Sequence, residues 1–154
     1  MKLSKNFSLS EIFGRNAANV QQSQTAGRLC TTVLQPLRDW LNHPIVISSG
    51  HRLPEHNKKI GGSPTSEHTW QGSAGAVDVS IFDHTERVKA VQWIMDNLFY
   101  GVGQVIYYTE TTHLHISIAD SKQSEFMVCT SKKNHTYKRI KSASDIAQYD
   151  KRLA

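Results

Sequence analysis

Residues 76–81 read Ala76-Val77-Asp78-Val79-Ser80-Ile81, and residues 113–118 read His113-Leu114-His115-Ile116-Ser117-Ile118. Both alternate apolar side chains with polar or small ones, the period of two that a half-buried strand imposes. Val77, Val79 and Ile81 form the inward set of the first, with Asp78 on the opposite face. Leu114, Ile116 and Ile118 form the inward set of the second, which leaves His113, His115 and Ser117 aimed outward together.

Helical patterns and further strands lie around these two. Ser8-Leu9-Ser10-Glu11 fits a capping box, with Phe7 placed to staple the short helix that follows. From Gln24 to Leu41 apolar residues recur at spacings of three and four, which predicts one long helix kinked or restarted at Pro36. Pro44 to Ser48 reads as a short strand, and Pro54 with Gly61-Gly62 brackets a small helix. Asp83 or Thr85 could cap a helix containing Val88, Val91, Ile94, Met95 and Leu98. Strands are predicted at Gln104–Tyr108, His113–Ile118 and Glu125–Cys129. Helices followed by consecutive strands predict an α+β fold, an antiparallel sheet with helices packed on one side.

The chain has 154 residues, enough for one core. The expected division is a domain over 1–130 and a loosely packed basic C-terminal tail over 131–154. Eighteen basic against 13 acidic residues give a net charge of +5, which admits an anionic partner without choosing one. No helix-turn-helix, zinc-finger spacing or aromatic-basic sheet motif supports a specific nucleic acid. No window has the apolar length of a membrane span, and Met1 to Asn6 leads into no apolar run, so no transmembrane segment and no secretion signal are expected. Cys30 and Cys129 are expected as buried free thiols, and Trp40 and Trp93 as core; Trp70, in a loop, is expected to border the cleft.

Eight histidines are more than a small core needs. One of the outward pair His113 and His115 on its strand, Asp78 on another and His68 in the loop before it make a set that suits zinc, since three protein ligands and an open position mark a catalytic rather than a structural site. The bland reading of each fragment is a solvated surface pair.

A longer series of residues resembles the zinc D-Ala-D-Ala carboxypeptidase family, whose fold is shared with the hedgehog signalling domain. Leu34-Gln35-Pro36-Leu37-Arg38, Ile45 to Arg52, Asn57 with Gly61-Gly62, Ser66-Glu67-His68, Ala76-Val77-Asp78 and His113 to Ser117 carry the resemblance, in order, over about Phe7 to Ala119. It implies a hedgehog/DD-peptidase-like fold and one Zn2+ per chain, held by His68, Asp78 and His115. It also implies that Arg52 binds the substrate carboxylate or the developing oxyanion, that Ser66 lines the substrate subsite, and that His113 stabilises the tetrahedral intermediate. The general base falls on Glu110, the acidic residue before the last ligand. Nine residues separate His68 from Asp78, a longer link than the family usually has, and small residues at 72–75 could bulge without moving its ends.

The activity implied is zinc-dependent hydrolysis of peptide bonds in bacterial peptidoglycan stem peptides, of D-Ala-D-Ala carboxypeptidase type. Many small members are phage-encoded, which implies synthesis in a host cytoplasm and action on the wall after release or from a virion, in lysis or infection. An L-Ala-D-Glu endopeptidase of endolysin type is the alternative within the family. A non-catalytic wall-binding or virion protein that keeps the fold is the alternative outside it. The basic tail would contact anionic cell wall electrostatically.

Overall fold

The computed structural model describes residues 1–120 and 123–154. The chain opens with α1 (Leu9–Phe13), whose N-terminus is closed by the Ser8–Glu11 capping box. Then α2 (Val20–Leu29) runs through a π-helical turn (Cys30–Leu34) into α3 (Gln35–Leu41). Pro36 sits in the first turn of α3. Its missing N–H and the clash of its ring with the preceding turn account for the widened turn, so the expected kink takes the form of a π-bulge. After β1 (Val46–Ser49) come α4 (Pro54–Lys59), a 3-10 turn (Glu67–Thr69), β2 (Gly75–Ser80) and α5 (His84–Leu98), capped by Asp83. The remaining strands are β3 (Gln104–Tyr108), β4 (His113–Ile118), β5 (Glu125–Ser131) and β6 (Thr136–Arg139).

The six strands form one sheet in the order β1-β2-β4-β3-β5-β6. The architecture is α+β, as the pattern predicts, but the sheet is mixed: β3 and β5 run parallel, and the other neighbours are antiparallel. The reason is competition for edges. Both edges of β4 are taken, by β2 and β3, so the strand that follows it cannot pair with it; added instead on the open edge of β3 and running opposite to β4, it lies parallel to β3.

One face of the sheet is the core. Val77, Val79, Leu114, Ile116, Val105, Tyr107 and Val128 pack there with Ala26, Leu29, Val33 and Leu37 of the first helical stretch and Ala90, Val91 and Ile94 of α5. The opposite face carries Asp78 and His115, side by side in the β2–β4 pairing. Cys30 and Cys129 are buried free thiols. Trp40 and Trp93 stack on one another at 5.4 Å, Trp40 still 42% exposed, so they seal the edge of the core and do not lie within it.

The segment after Thr130 is not the loosely packed end that its charge suggested. It supplies β6, and Ile140, Ala143 and Ile146 are buried in the same core. Lys132 and Lys133 sit at the hairpin tip and Lys138 and Arg139 on β6, while Ile140, Ala143 and Ile146 turn inward. Asp150 anchors it: its carboxylate is buried and accepts hydrogen bonds from Tyr107 Oη (2.6 Å) and Arg152 Nη2 (2.8 Å), with buried Arg87 at 4.0 Å. Arg87 also lies over the Tyr107 ring at 4.2 Å.

Burial works against the ionised form of Asp150, but the hydrogen bonds from Arg152 and Tyr107 outweigh it and bring its pKa down to about 2. A carboxyl depressed in the folded state contributes stability that is complete above its ordinary value of 3.8 and is lost as the pH falls through about 2. Asp150→Ala leaves two arginines without their buried counter-ion and should cost about 3 kcal/mol. Asp150→Asn should flatten the fall in thermal stability between about pH 4 and 2; both are read from melting curves across pH.

Candidate metal centre and active-site cleft

Three segments deliver the site. The chain leaves β1 through Ser49 and Gly50, where a Cβ on Gly50 would stand 2.2 Å from the carbonyl oxygen of Ile12. Only glycine lets this segment lie so close to the end of α1. The amide of His51 then donates to Ile12 O (2.7 Å), and the amide of Arg52 donates to His68 O (2.8 Å), which ties the arginine segment to the 3-10 turn. That turn is opened by Ser66, whose Oγ accepts from the His68 amide at 3.4 Å. Asp78 and His115 come from β2 and β4.

The link between His68 and Asp78 passes outward without parting its ends. Trp70 takes a left-handed backbone conformation (φ 53°) and folds its indole into the interior, where Nε1 donates to Ala76 O at 3.2 Å. The residue expected at the cleft border is therefore core, packed against Phe13 at 5.1 Å. The long link is stabilised by its own aromatic residue.

His68, Asp78 and His115 are all buried, and one nitrogen or oxygen of each lies within 4.8 Å of the others. His68 Nε2 and His115 Nδ1 both face Asp78 Oδ1, at 3.3 and 3.1 Å. His68 Nδ1 donates to Gly50 O at 2.8 Å. A carbonyl can only accept, so in the neutral ring the proton sits on Nδ1 and the Nε2 lone pair is turned on the carboxylate. Two imidazole nitrogens aimed at one carboxylate oxygen require either added protons or a shared cation. The donor set of two nitrogens and one oxygen, with an outer hydrogen bond fixing one ring, fits zinc.

The electrostatics agree. Burial alone would raise the pKa of Asp78, but hydrogen bonds and charge from His115 and His68 hold it well below the usual carboxylate range. Burial disfavours protonated His115, but Asp78 and then Glu67 outweigh it and raise its pKa to about 9. Asp78 Oδ2 also accepts from Arg52 Nη2 (3.1 Å), and Arg52 is steadied by Ser49 Oγ at 3.2 Å from Nε and 3.1 Å from Nη2. The two N–H groups of Nη1 are not used in these contacts.

The centre lies in a cavity of about 1000 Å³. Arg52, Ser66, His68, Asp78, Glu110 and His115 all line it; His113 does not, although it shares the β4 face with His115. Glu110 is exposed at the rim and accepts from the Lys132 amide at 3.3 Å. Asn57 explains the glycine pair: its Nδ2 donates to Ser63 O (2.7 Å), and a Cβ on Gly62 would collide with its side chain at 2.2 Å. This pins the 61–63 loop as one wall. Two features escaped the sequence reading. Glu67 is a buried carboxylate in the cavity wall, and the β5–β6 hairpin brings Lys132, Lys133 and His135 to the opposite rim.

The family model described as Peptidase M15 matches residues 5–117. The chain belongs to this family, the zinc D-Ala-D-Ala carboxypeptidases. No curated protein matches it. Membership makes it a zinc peptidase of a family directed at peptidoglycan. The matched region of this M15 peptidase contains every residue of the buried centre, whereas the cationic hairpin lies beyond it. Among the described residues, no helix is long and apolar enough to cross a membrane.

Asp78→Ala should abolish stoichiometric zinc binding, read by elemental analysis after dialysis, with the fold retained by circular dichroism. Proton and metal compete for the His115 ring nitrogen, so zinc affinity should rise as the pH is raised toward about 9 in a competition titration.

Proposed function

We propose that this M15 peptidase is a D-Ala-D-Ala carboxypeptidase acting on peptidoglycan stem peptides, of the kind bacteriophages use in lysis or infection. It would be made in the host cytoplasm and reach the wall after release or from a virion. The observation that carries the reading is the convergence of His68 Nε2, Asp78 Oδ1 and His115 Nδ1 in the wall of a cavity large enough for a peptide. One zinc ion held by these three residues would supply Lewis-acid polarisation of the scissile carbonyl and would acidify water toward neutrality.

The chain's own groups do the rest. Glu110 takes the proton of the attacking water at a carboxylate oxygen and returns it to the leaving amine. Arg52, held by Asp78 and Ser49, keeps its Nη1 donors for substrate and binds either the terminal carboxylate or the oxyanion. His113, one row from His115 on the same face of β4, would help to stabilise the tetrahedral intermediate, as the family resemblance implies, beside Arg52 in the cavity wall. Ser66, which caps the turn that carries His68, borders the substrate subsite. Lysines after Thr130 would add a salt-sensitive contact with anionic wall polymer.

The L-Ala-D-Glu endopeptidase reading has one observation in its favour. Lys132, Lys133 and His135 border the cavity, and they would suit a carboxylate beyond the cut bond, as D-Glu offers.

Purified peptidoglycan fragments incubated with the protein, with zinc or with a chelator, should lose terminal D-Ala only when zinc is present, as read by mass spectrometry. A cut between L-Ala and D-Glu would establish the endopeptidase. No product from zinc-loaded, folded protein would leave a non-catalytic wall-binding protein. Glu110→Gln should retain zinc and lower kcat by about 10²- to 10⁴-fold.

A further inference from the structure

We propose that Glu67 is a positioning residue for the metal centre, holding the outer nitrogen of His115 so that Nδ1 is presented to the ion. The inference rests on the zinc site proposed above and adds a residue to which no role has been given.

The geometry begins with which nitrogen faces which way. His115 Nδ1 lies 3.1 Å from Asp78 Oδ1, on the side where His68 Nε2 also points. The ring's other nitrogen, Nε2, lies on the far edge, and Glu67 Oε2 is 3.8 Å from it. Both side chains are withdrawn from solvent, at 8% and 4% exposure. A carboxylate at this separation in a buried setting reaches hydrogen-bond length with a small side-chain adjustment. It favours the tautomer with the proton on Nε2, which leaves the Nδ1 lone pair for a metal.

Glu67 is suited to this by its place in the chain. It belongs to the 3-10 turn Glu67–Thr69, whose next residue is His68. The backbone of that turn is fixed by the Ser66 hydroxyl at one end and by the Thr69 hydroxyl, which donates to Ser66 O at 2.7 Å. One rigid turn thus carries a ligand and the carboxylate that orients a second ligand on β4. The two ligand rings meet edge to face at 5.1 Å, so a tilt of either would disturb the other. His68 has an outer hydrogen bond to Gly50 O at 2.8 Å, and Glu67, paired with His115 Nε2 at 3.8 Å, would serve His115 in the same way. Glu110 serves no such purpose, because it is exposed at the rim and engaged with the Lys132 amide.

The test uses the full chain, first with zinc alone and then, for variants that keep their zinc affinity, with peptidoglycan fragments to read kcat. Zinc affinity is measured by competition with a chromophoric chelator for the native protein, Glu67→Gln, Glu67→Ala and Glu67→Asp. The expected result is a loss of about 10- to 100-fold in Glu67→Ala, a smaller loss in Glu67→Gln, which keeps an acceptor oxygen, and partial recovery in Glu67→Asp. In nitrogen-correlated NMR of the zinc-loaded native protein, His115 should carry its proton on Nε2, and that signal should shift or broaden in Glu67→Ala while the His68 Nδ1–H signal persists. Unchanged affinity and an unchanged His115 signal in folded Glu67→Ala would overturn the proposal, and so would intact zinc affinity combined with collapse of kcat, which would make Glu67 a proton acceptor. Failure of the native protein itself to bind zinc would instead overturn the metal site.

Discussion

The Asp78 carboxylate is a buried anion whose two oxygens are divided between partners: Oδ1 faces two imidazoles and Oδ2 faces a guanidinium. Left uncompensated, such a charge would cost several kcal/mol. Every irregular segment around it works to bring compensation, with the Gly50 crossing placing Arg52, the 3-10 turn placing His68 and the β2–β4 pairing placing His115. The pairing is the firmest of the three, because Val77 and Val79 on one strand and Leu114 and Ile116 on the other lock the register through the core. A slip of one residue would turn Asp78 inward and the valines outward. Hydrophobic packing on one face therefore fixes electrostatics on the other.

What was legible from sequence followed local rules. Period two marked β2 and β4 and told which face was chemical; caps at Ser8 and Asp83 and the prolines marked helix starts. Asp78 and His115 stood out as candidate ligands because they lie on such strands, with His68 in the loop before one of them, and the choice of His115 over His113 came from the family resemblance. What was not legible depends on competition between distant segments. The parallel β3–β5 pair exists because β2 had already claimed an edge of β4, and no local pattern records that. The charge-rich end was misjudged because composition averages over residues, while Ile140, Ala143 and Ile146 individually find the core. Trp70 could not be placed, since its inward turn needs a left-handed backbone that its neighbours do not announce. Glu67 looked like any carboxylate beside a histidine; only the position of β4 against the 3-10 turn gives it a partner.

The cavity is electrostatically divided. Its inner end holds two imidazoles and two carboxylates, all buried, with the Asp78 carboxylate matched by close contacts. Its outer rim carries Lys132, Lys133 and His135, exposed to solvent and tied to the β3–β4 turn through the Lys132 amide and Glu110. Screening treats these ends differently. Charges at the rim act over a Debye length and weaken with salt, whereas the inner contacts are shielded from it. In the proposed function the inner end would carry the bond chemistry at fixed geometry, and the rim would draw in and orient an anionic ligand.

That division coincides with a division in the chain. The inner end is built wholly from residues within the matched family region, 5–117, and the rim hairpin from residues after it. The extension is not free to vary as an appendage would be, because β6 completes the sheet and Asp150 is bound to Tyr107 beneath the core. Changes at the hairpin tip can alter the rim's charge without touching the sheet, since Lys132, Lys133 and His135 lie on the exposed turn between two paired strands. Such a construction lets the charge of the cavity rim change while the buried carboxylate and its partners stay as they are. The constraint runs one way only: the hairpin depends on the sheet for its position, and the sheet's chemical face depends on Asp78.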